Sequence, residues 1–182
     1  MDIYLVRHGE AAARWGEASD PGLSELGVAQ AQQAAAYLAP RLSAKAQLRS
    51  SPLARARQTA QPLADTLAAQ LVIEPAFREI PSPVPLEQRQ DWLRQFMREH
   101  WDTQEAVLQD WRDAAFDTLL ALQAPTAVFT HFLVINAIVG RLQGRAQTLC
   151  FWPDNGSITQ LRRTGQGLEL VALGEEVRTR VN

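Results

Sequence analysis

Residues Met1 to Glu10, MDIYLVRHGE, set the expectations for the rest of the chain. Asp2 to Val6 is a short, nearly continuous apolar run, a pattern typical of a strand that is buried on both faces. The run stops at a cation, an imidazole, a flexible residue and a carboxylate: Arg7, His8, Gly9 and Glu10. In an open α/β sheet, reactive groups gather beyond the carboxyl ends of the strands. Taken alone, this segment fits either a reactive histidine facing an anionic group or an ordinary polar surface loop.

Length, composition and charge are those of a single globular domain. Of the 182 residues, 46% are hydrophobic and 21% are charged, which suffices for one substantial core. A net charge of −2 argues against a general surface for nucleic acid or anionic membranes. The apolar stretches are too short to span a bilayer, and Met1 leads into the first strand without a signal-peptide pattern. The single Cys150 excludes an internal disulfide, and we expect a cytoplasmic protein. The sequence does not indicate the oligomeric state.

The order of strand and helix signals predicts an α/β fold. Ser24 is a candidate N-cap for a helix that ends near Pro40, and Ser51 with Pro52 marks the start of a second helix, which Pro62 should kink or end. Further strands are expected at 46–50, 71–74, 126–130, 157–163 and 168–173. We predict one domain over residues 1–182, a three-layer α/β/α fold with a mostly parallel central sheet, carrying a helical insertion at about 86–123.

The aromatic side chains of the insertion have two interpretations. Trp92, Phe96, Trp101 and Trp111 recur at helical spacing, which is more often the signature of a core than of a substrate mouth. We therefore favour the core.

Three predicted junctions between a strand and a loop carry polar side chains. His8 follows one buried-type strand, His131 follows another, and the segment 51–57 opens a helix directly after a third. Because the carboxyl ends of parallel strands meet at one sheet edge, two imidazoles, two arginines and a helix N-terminus should surround a small volume suited to a phosphoryl group. Arg55 and Arg57 point in different directions on a helix, and we expect Arg55 to share the site. No third ligand stands at a metal-binding spacing, so we expect no metal and no cofactor.

These segments resemble the motifs of the histidine phosphatase superfamily, which has the phosphoglycerate mutase-like fold. The resemblance starts with the RHG signature at residues 7–9 and continues in order along nearly the whole chain. The other matching segments are LSELG with QA at 23–31, SPLARARQTA at 51–60, TH at 130–131 and NGSIT at 155–159.

The resemblance implies a role for each matching residue. His8 would be the nucleophile that becomes a phosphohistidine, Arg7 and Arg55 would hold the non-bridging oxygens, and His131 would complete this clamp. Glu79 would protonate the leaving oxygen. Glu10 would be an orienting group. We expect the substrate to be a phosphorylated small molecule. The residues expected to bind it are Gly9, Glu10, Arg14, Arg78 and Phe132.

Three departures from the family pattern bear on the substrate. The segment after Glu79 is proline-rich, Phe132 stands where glycine is common, and Asn136 stands where arginine is often seen. We expect these changes to make the mouth more apolar and less cationic, which favours hydrolysis by water over a mutase reaction.

The leading hypothesis is a metal-independent phosphomonoesterase, and three alternatives to it remain open. One is a phosphohistidine-protein phosphatase, which the helical insertion disfavours, and another is a phosphoglycerate mutase. The third belongs to a different class, a phosphate-binding regulator without catalytic activity.

Overall fold

The computed structural model describes residues 1–13, 20–43 and 45–177. Its six strands form one sheet in the order β3-β2-β4-β1-β5-β6. The strands are β1 Asp2–Arg7, β2 Gln47–Ser50, β3 Leu71–Ile73, β4 Thr126–Thr130, β5 Ile158–Thr164 and β6 Gly167–Ala172. Strands β1 to β4 run parallel to one another, whereas β5 and β6 are antiparallel additions at one edge.

Among the described residues, five α-helices accompany the sheet: α1 Glu25–Leu38, α2 Ala54–Leu67, α3 Arg89–Phe96, α4 Ala106–Leu120 and α5 Phe132–Leu142. Helices α1 and α2 cover one face, where Leu38 and Leu63 pack against Val6 and Phe129. Helices α4 and α5 cover the other face, where Leu119 and Ile138 belong to the cluster around Ile3 and Leu5. The predicted three-layer α/β/α class is therefore confirmed, and β1 is buried on both faces as expected.

The segment between β3 and β4 holds α3 and α4 and short 3₁₀ turns at Leu86–Gln88 and Trp101–Thr103. Phe96 and Trp101 are buried in a cluster with Phe132, and Trp92 and Trp111 pack against it. Core packing of these aromatics is confirmed. That the chain forms one domain with an insertion at about 86–123 stays a prediction.

The expected start of α2 was wrong. Leu53, and not Ser51, is the N-cap, and no side chain of the cap bonds the first turn. The hydroxyl of Ser51 instead accepts a hydrogen bond from the Leu53 amide at 3.3 Å and contacts His131. Asp20 supplies the missing acceptor, because its Oδ1 takes the Ala54 amide proton at 2.7 Å. Helix α2 also continues through Pro62 to Leu67.

The carboxyl ends of three parallel strands meet at one edge of the sheet, as predicted. The amide of His8 donates to the carbonyl of Thr130 at 3.0 Å, and the amide of Ser51 donates to that of Phe129 at 2.9 Å. These bonds continue the ladders of β1, β4 and β2 by one residue into their loops. Within the described ranges, no helix combines the length and the hydrophobicity needed to cross a membrane.

Candidate active site

The backbone around His8 is held from three sides. The amide of Gly9 donates to Oγ1 of Thr59 on α2 at 3.0 Å, and Thr59 donates in turn to the carbonyl of Arg55 at 2.7 Å. The Asn155 side-chain amide donates to the carbonyl of His8 at 3.1 Å. A Cβ on Gly9 would overlap the carbonyl oxygen of Gly27, so α1 approaches this turn too closely for any side chain. The position of the imidazole is therefore fixed by α1, α2 and the loop before β5.

The hydrogen bonds of His8 define its tautomer. Nδ1 lies 2.7 Å from the carbonyl oxygen of Gly9, and since a carbonyl only accepts, Nδ1 carries the proton. The lone pair then lies on Nε2, where Nε of Arg55 donates to it at 3.2 Å. Burial, with the charges of Arg55 and Arg7, lowers the pKa of His8 to about 3. The imidazole is consequently neutral at physiological pH, with a lone pair directed at a guanidinium.

Arg7 lies across the same volume. Its Nη1 donates to the carbonyl of Pro153 at 2.8 Å, and its guanidinium stands 5.1 Å from the ring centroid of Phe132. Its buried Nε has no hydrogen-bond partner among the described residues. Burial lowers the pKa of Arg7 to about 10, so the group stays cationic at neutral pH. A charged group with an unused donor is suited to an anionic ligand.

His131 faces His8 with a ring-centroid separation of 5.2 Å. Its Nε2 lies 2.7 Å from Oγ of Ser51, while its buried Nδ1 has no partner within the described part of the chain. The Ser51 hydroxyl accepts the Leu53 amide proton, and among the described residues its own proton finds no acceptor other than Nε2, so we assign that proton to the bond with His131. That arrangement leaves the His131 proton on Nδ1 as an unsatisfied donor. Burial is the main cause that keeps the pKa of His131 well below its usual value.

Glu79 is a buried carboxyl group beside these cations. Its Oε1 accepts the amide proton of Ile80 at 2.9 Å. Burial raises the pKa of Glu79, against the opposing effects of that amide and of the Arg55 and Arg89 charges. A carboxyl group whose neutral form is favoured by burial can donate a proton near neutral pH.

The five predicted substrate-binding residues take different positions. Gly9 is buried in the turn, and Arg78 is exposed directly before Glu79. Glu10 is exposed, and its carboxylate accepts from the Ser24 hydroxyl at 2.7 Å, so it ties the loop to the start of α1. Phe132 is 2% exposed, with its ring beneath Arg7. Arg14 lies outside the described residues.

The expectation that Asn136 lines the mouth of the substrate pocket was wrong. Its side chain is fully buried, where Oδ1 accepts the amide protons of Cys150 and Phe151 at 2.8 Å and 3.1 Å. Its Nδ2 donates to the carbonyl of Phe132 at 3.0 Å. Asn136 therefore holds the chain after α5. Arg57, by contrast, is exposed as predicted.

Sequence reasoning missed two contributors. Thr59 carries a weak signal, because it stands one helical turn after Arg55 and so shares its face. Arg89 gives none, because its contact with the loop after Glu79 depends on how the helices that follow β3 pack. Its Nη2 donates to the carbonyl of Ile80 at 3.0 Å, beside Glu79.

The assembled site combines a neutral imidazole whose lone pair faces Arg55, a second arginine, an unsatisfied buried donor and a carboxyl group with raised pKa. Such a set can bind a tetrahedral anion and carry out nucleophilic and proton-transfer steps upon it. Across residues 1–13, 20–43 and 45–177, no group of three or more His, Cys, Asp or Glu residues is placed to hold a metal ion.

A profile of the histidine phosphatase superfamily (branch 1) matches residues 3–176. The chain belongs to this superfamily, and the resemblance found in its motifs is confirmed. A probable phosphoglycerate mutase GpmB of Erwinia tasmaniensis is 35% identical over 121 residues, covering 64% of this chain and 50% of that protein. A protein of the same name from Yersinia pestis is 38% identical over 84 residues, covering 44% of this chain and 38% of that protein. The matched part thus spans half or less of these relatives.

Solved structures share the fold at lower identity. A phosphoserine phosphatase from Entamoeba histolytica, in complex with phosphoserine, superimposes with a TM-score of 0.76 at 20% identity, covering 96% of both chains. A mycobacterial glucosyl-3-phosphoglycerate phosphatase gives a TM-score of 0.72 at 19% identity, covering 97% of this chain and 99% of that one. These similarities establish a common architecture.

Proposed function

We propose that the protein is a metal-independent phosphomonoesterase that works through a phosphohistidine on His8 and acts on a small phosphorylated metabolite in the cytoplasm. The observation that carries this proposal is the tautomer of His8. Nδ1 is committed to the Gly9 carbonyl at 2.7 Å, so the lone pair of Nε2 faces Arg55. A neutral buried imidazole with that orientation is ready to attack phosphorus.

In the first step, Nε2 of His8 forms a bond to phosphorus while the ester P–O bond breaks. Arg7, Arg55 and Nδ1–H of His131 hold the three non-bridging oxygens and offset their negative charge. Glu79 gives its proton to the departing alcohol oxygen. The products of this step are the free alcohol and a phosphohistidine.

In the second step, water replaces the alcohol. The Glu79 carboxylate accepts a proton from that water as its oxygen bonds to phosphorus and the N–P bond breaks. Inorganic phosphate leaves, and both His8 and Glu79 return to their starting protonation states. The same carboxyl group thus serves as acid and then as base.

Hydrolysis of para-nitrophenyl phosphate in the presence of a chelator tests the activity, and quenching with alkali during turnover tests the intermediate. We expect activity unaffected by chelation and a protein-bound phosphate that is labile to acid and stable to base. His8→Ala should abolish both signals. His100→Ala is the matched control, because the His100 side chain is exposed. Full activity in His8→Ala would exclude the mechanism.

A phosphoglycerate mutase is the second candidate, because curated relatives bear that name. In a mutase, the phosphohistidine passes its phosphoryl group to another hydroxyl rather than to water. Isomerisation of phosphoglycerate, measured with and without bisphosphoglycerate, decides between the two. Isomerisation faster than phosphate release would favour the mutase.

A further inference from the structure

We infer that Trp152 binds the organic portion of the substrate, and that this portion is an uncharged aromatic ring. The inference rests on the proposed function, because it concerns the substrate of the same pocket. Trp152 lies in the loop between α5 and β5, and its side chain is 50% exposed, more than that of any other described tryptophan. Single exposed aromatic side chains are common on protein surfaces. The position of this one relative to the phosphoryl pocket therefore decides its role.

The first observation is that two separate connections place Trp152 beside Arg7. The ring centroids of Trp152 and Phe132 are 5.3 Å apart, and the Phe132 ring in turn stands 5.1 Å from the Arg7 guanidinium. Along the backbone, the next residue after Trp152 is Pro153, whose carbonyl accepts the bond from Nη1 of Arg7 at 2.8 Å. The indole thus lies next to the cation that would hold the phosphoryl oxygens.

The second observation is that this row of side chains runs from the buried pocket to the surface. Phe132 is 2% exposed, whereas Trp152 is half exposed and forms the outer end of the row. Because buried groups would hold the non-bridging oxygens, the organic portion of a bound ester has to extend toward solvent. The Trp152 ring is an apolar surface that this portion meets at the mouth.

The third observation is that the backbone of Trp152 is held in place by the chain after β6. Its amide donates to Oε1 of Glu176 at 3.0 Å, and its carbonyl accepts the amide proton of Val177 at 2.9 Å. Pro153 also pairs with Glu176 in an antiparallel bridge. A ring that is fixed before binding loses little conformational entropy when a ligand packs on it, which favours affinity.

The charges around the loop decide against an anionic organic portion. Asp154, Glu175 and Glu176 line one cavity together with Val177, beside the Trp152 backbone. None of the five ion pairs found among the described residues includes these three acidic side chains. Their negative field repels a second anionic group at this side of the mouth. We therefore assign an uncharged group to the Trp152 surface.

The geometry of the aromatic pair favours a ring over an aliphatic chain. Trp152 and Phe132 are tilted by 55°, which leaves the exposed half of the indole open to a further partner. Aromatic rings gain an attraction from offset or edge-to-face contacts in addition to the apolar area that they bury. An aliphatic chain gains only the area.

Phosphonates test the inference, because a P–C bond replaces the ester bond that the proposed reaction breaks. 3-Phenylpropylphosphonate and propylphosphonate differ by one phenyl ring, and titration calorimetry measures the affinity of each without turnover. We expect the phenyl compound to bind about tenfold or more tightly. 2-Carboxyethylphosphonate carries a second anionic group, and it should bind no more tightly than propylphosphonate.

Variants of Trp152 assign the difference to its ring. Trp152→Ala should bring the affinity ratio of the first two phosphonates near one, whereas Trp152→Phe should keep most of it. Inorganic phosphate has no organic portion, so its affinity should be the same in both variants as in the wild type. Tyr37→Ala is the control, because Tyr37 is an exposed aromatic whose ring is covered by Arg41 at 3.7 Å. It should leave the ratio unchanged.

The results that overturn the inference are separate from those that overturn the proposed function. Equal affinity of the wild type for the first two phosphonates, or a ratio that survives Trp152→Ala, overturns the role of Trp152. Tighter binding of the carboxyethyl than of the phenylpropyl compound overturns the assigned substrate class. If Trp152→Ala fails to fold, Trp152→Gln provides the same measurement with a longer side chain. Absence of para-nitrophenyl phosphate hydrolysis overturns the phosphatase proposal instead, and the calorimetric ratio is still measurable in that case.

Discussion

Nε of Arg55 donates a hydrogen bond to Nε2 of His8 over 3.2 Å. The guanidinium thus occupies the direction from which a phosphorus atom would approach the nucleophile. Arg55 marks the place of the phosphoryl group and must turn its donors to the oxygens when substrate enters. We expect Arg55→Gln to lower kcat by about a hundredfold to a thousandfold, the effect of removing one donor to a developing oxyanion.

Arg57→Gln provides the matched control for this variant, because Arg57 lies on the same helix and is exposed. Its kcat should stay within about twofold of the wild-type value. Steady-state kinetics on para-nitrophenyl phosphate measure both variants. Equal losses in the two would mean that the contact with His8 has no special importance.

Ser51 should set the tautomer of His131. With the hydroxyl removed in Ser51→Ala, Nε2 of His131 loses its partner, and the ring proton is no longer confined to Nδ1. We expect a changed ¹⁵N spectrum for this ring and a lower kcat, by about tenfold if one hydrogen bond to the phosphoryl group is weakened. Ser50→Ala is the control, because the Ser50 hydroxyl donates to the Ser51 carbonyl and not to His131. An unchanged ¹⁵N spectrum in Ser51→Ala would refute the role.

Glu79→Gln should separate good from poor leaving groups. An alkyl oxide needs a proton as it departs, whereas para-nitrophenolate leaves readily without one. We expect a loss of about a hundredfold or more for an alkyl phosphate and a much smaller loss in the burst that releases para-nitrophenol. Pre-steady-state measurements on the two substrates give both values. Equal losses would assign Glu79 to another role.

Both buried histidines should make the protein less stable in mild acid. Their folded-state pKa values lie below the ordinary value of 6.5, so the unfolded chain takes up protons that the folded chain does not. Their contribution to stability is complete above pH 6.5 and is lost as the pH falls toward the folded pKa, by about 1.4 kcal/mol per pH unit for each histidine. Glu79 acts in the opposite sense, since its folded pKa is raised.

A single variant isolates one histidine from these opposing effects. Urea denaturation of the wild type and of His8→Asn at a series of pH values gives the two slopes. The slope of the variant should be smaller by about 1.4 kcal/mol per pH unit. Identical slopes would show that His8 titrates normally in the folded protein.

Gly27 should be indispensable although it lies on α1. A Cβ there would overlap the carbonyl oxygen of Glu10, in the loop directly after His8. We expect Gly27→Ala to reduce the free energy of unfolding by about 1–3 kcal/mol and to lower kcat by displacing that loop. Gly165→Ala is the control, because a Cβ there meets nothing within 4 Å. Calorimetry measures the stability of the two variants, and steady-state kinetics measures their kcat. Equal stability and equal kcat in the two variants would refute this role of Gly27.

Sequence patterns predicted the structure correctly where an element is determined by residues close to it in the chain. The apolar run ending at Arg7, the N-cap at Ser24 and the strand before His131 each form the element expected of them. Because parallel strands bring their carboxyl ends to one edge, these elements also predicted which residues meet. The order of the motifs then gave the family.

Local rules failed where a side chain bonds to a distant element. Ser51 has the sequence of an N-cap, but its hydroxyl contacts His131, which is 80 positions away. Asn136 has the position of a mouth residue, but it satisfies two amides after α5. Arg89 donates to the Ile80 carbonyl, next to Glu79, only because α3 folds back onto the proline-rich loop. Such pairings depend on tertiary packing and leave no periodic pattern in the sequence.

The position of β4 in the sheet has a consequence for how the protein comes to be active. Strands β1 and β2 are separated in sequence by fewer than fifty residues, yet both pair with β4 rather than with each other. They have no common neighbour until Thr126–Thr130 pairs with both of them. Closing the long loop between β1 and β4 is slow. A nascent chain that contains His8 and Arg55 but not yet β4 therefore lacks the strand that brings the two residues together. We expect the ability to bind an oxyanion to be among the last properties to appear during synthesis and refolding.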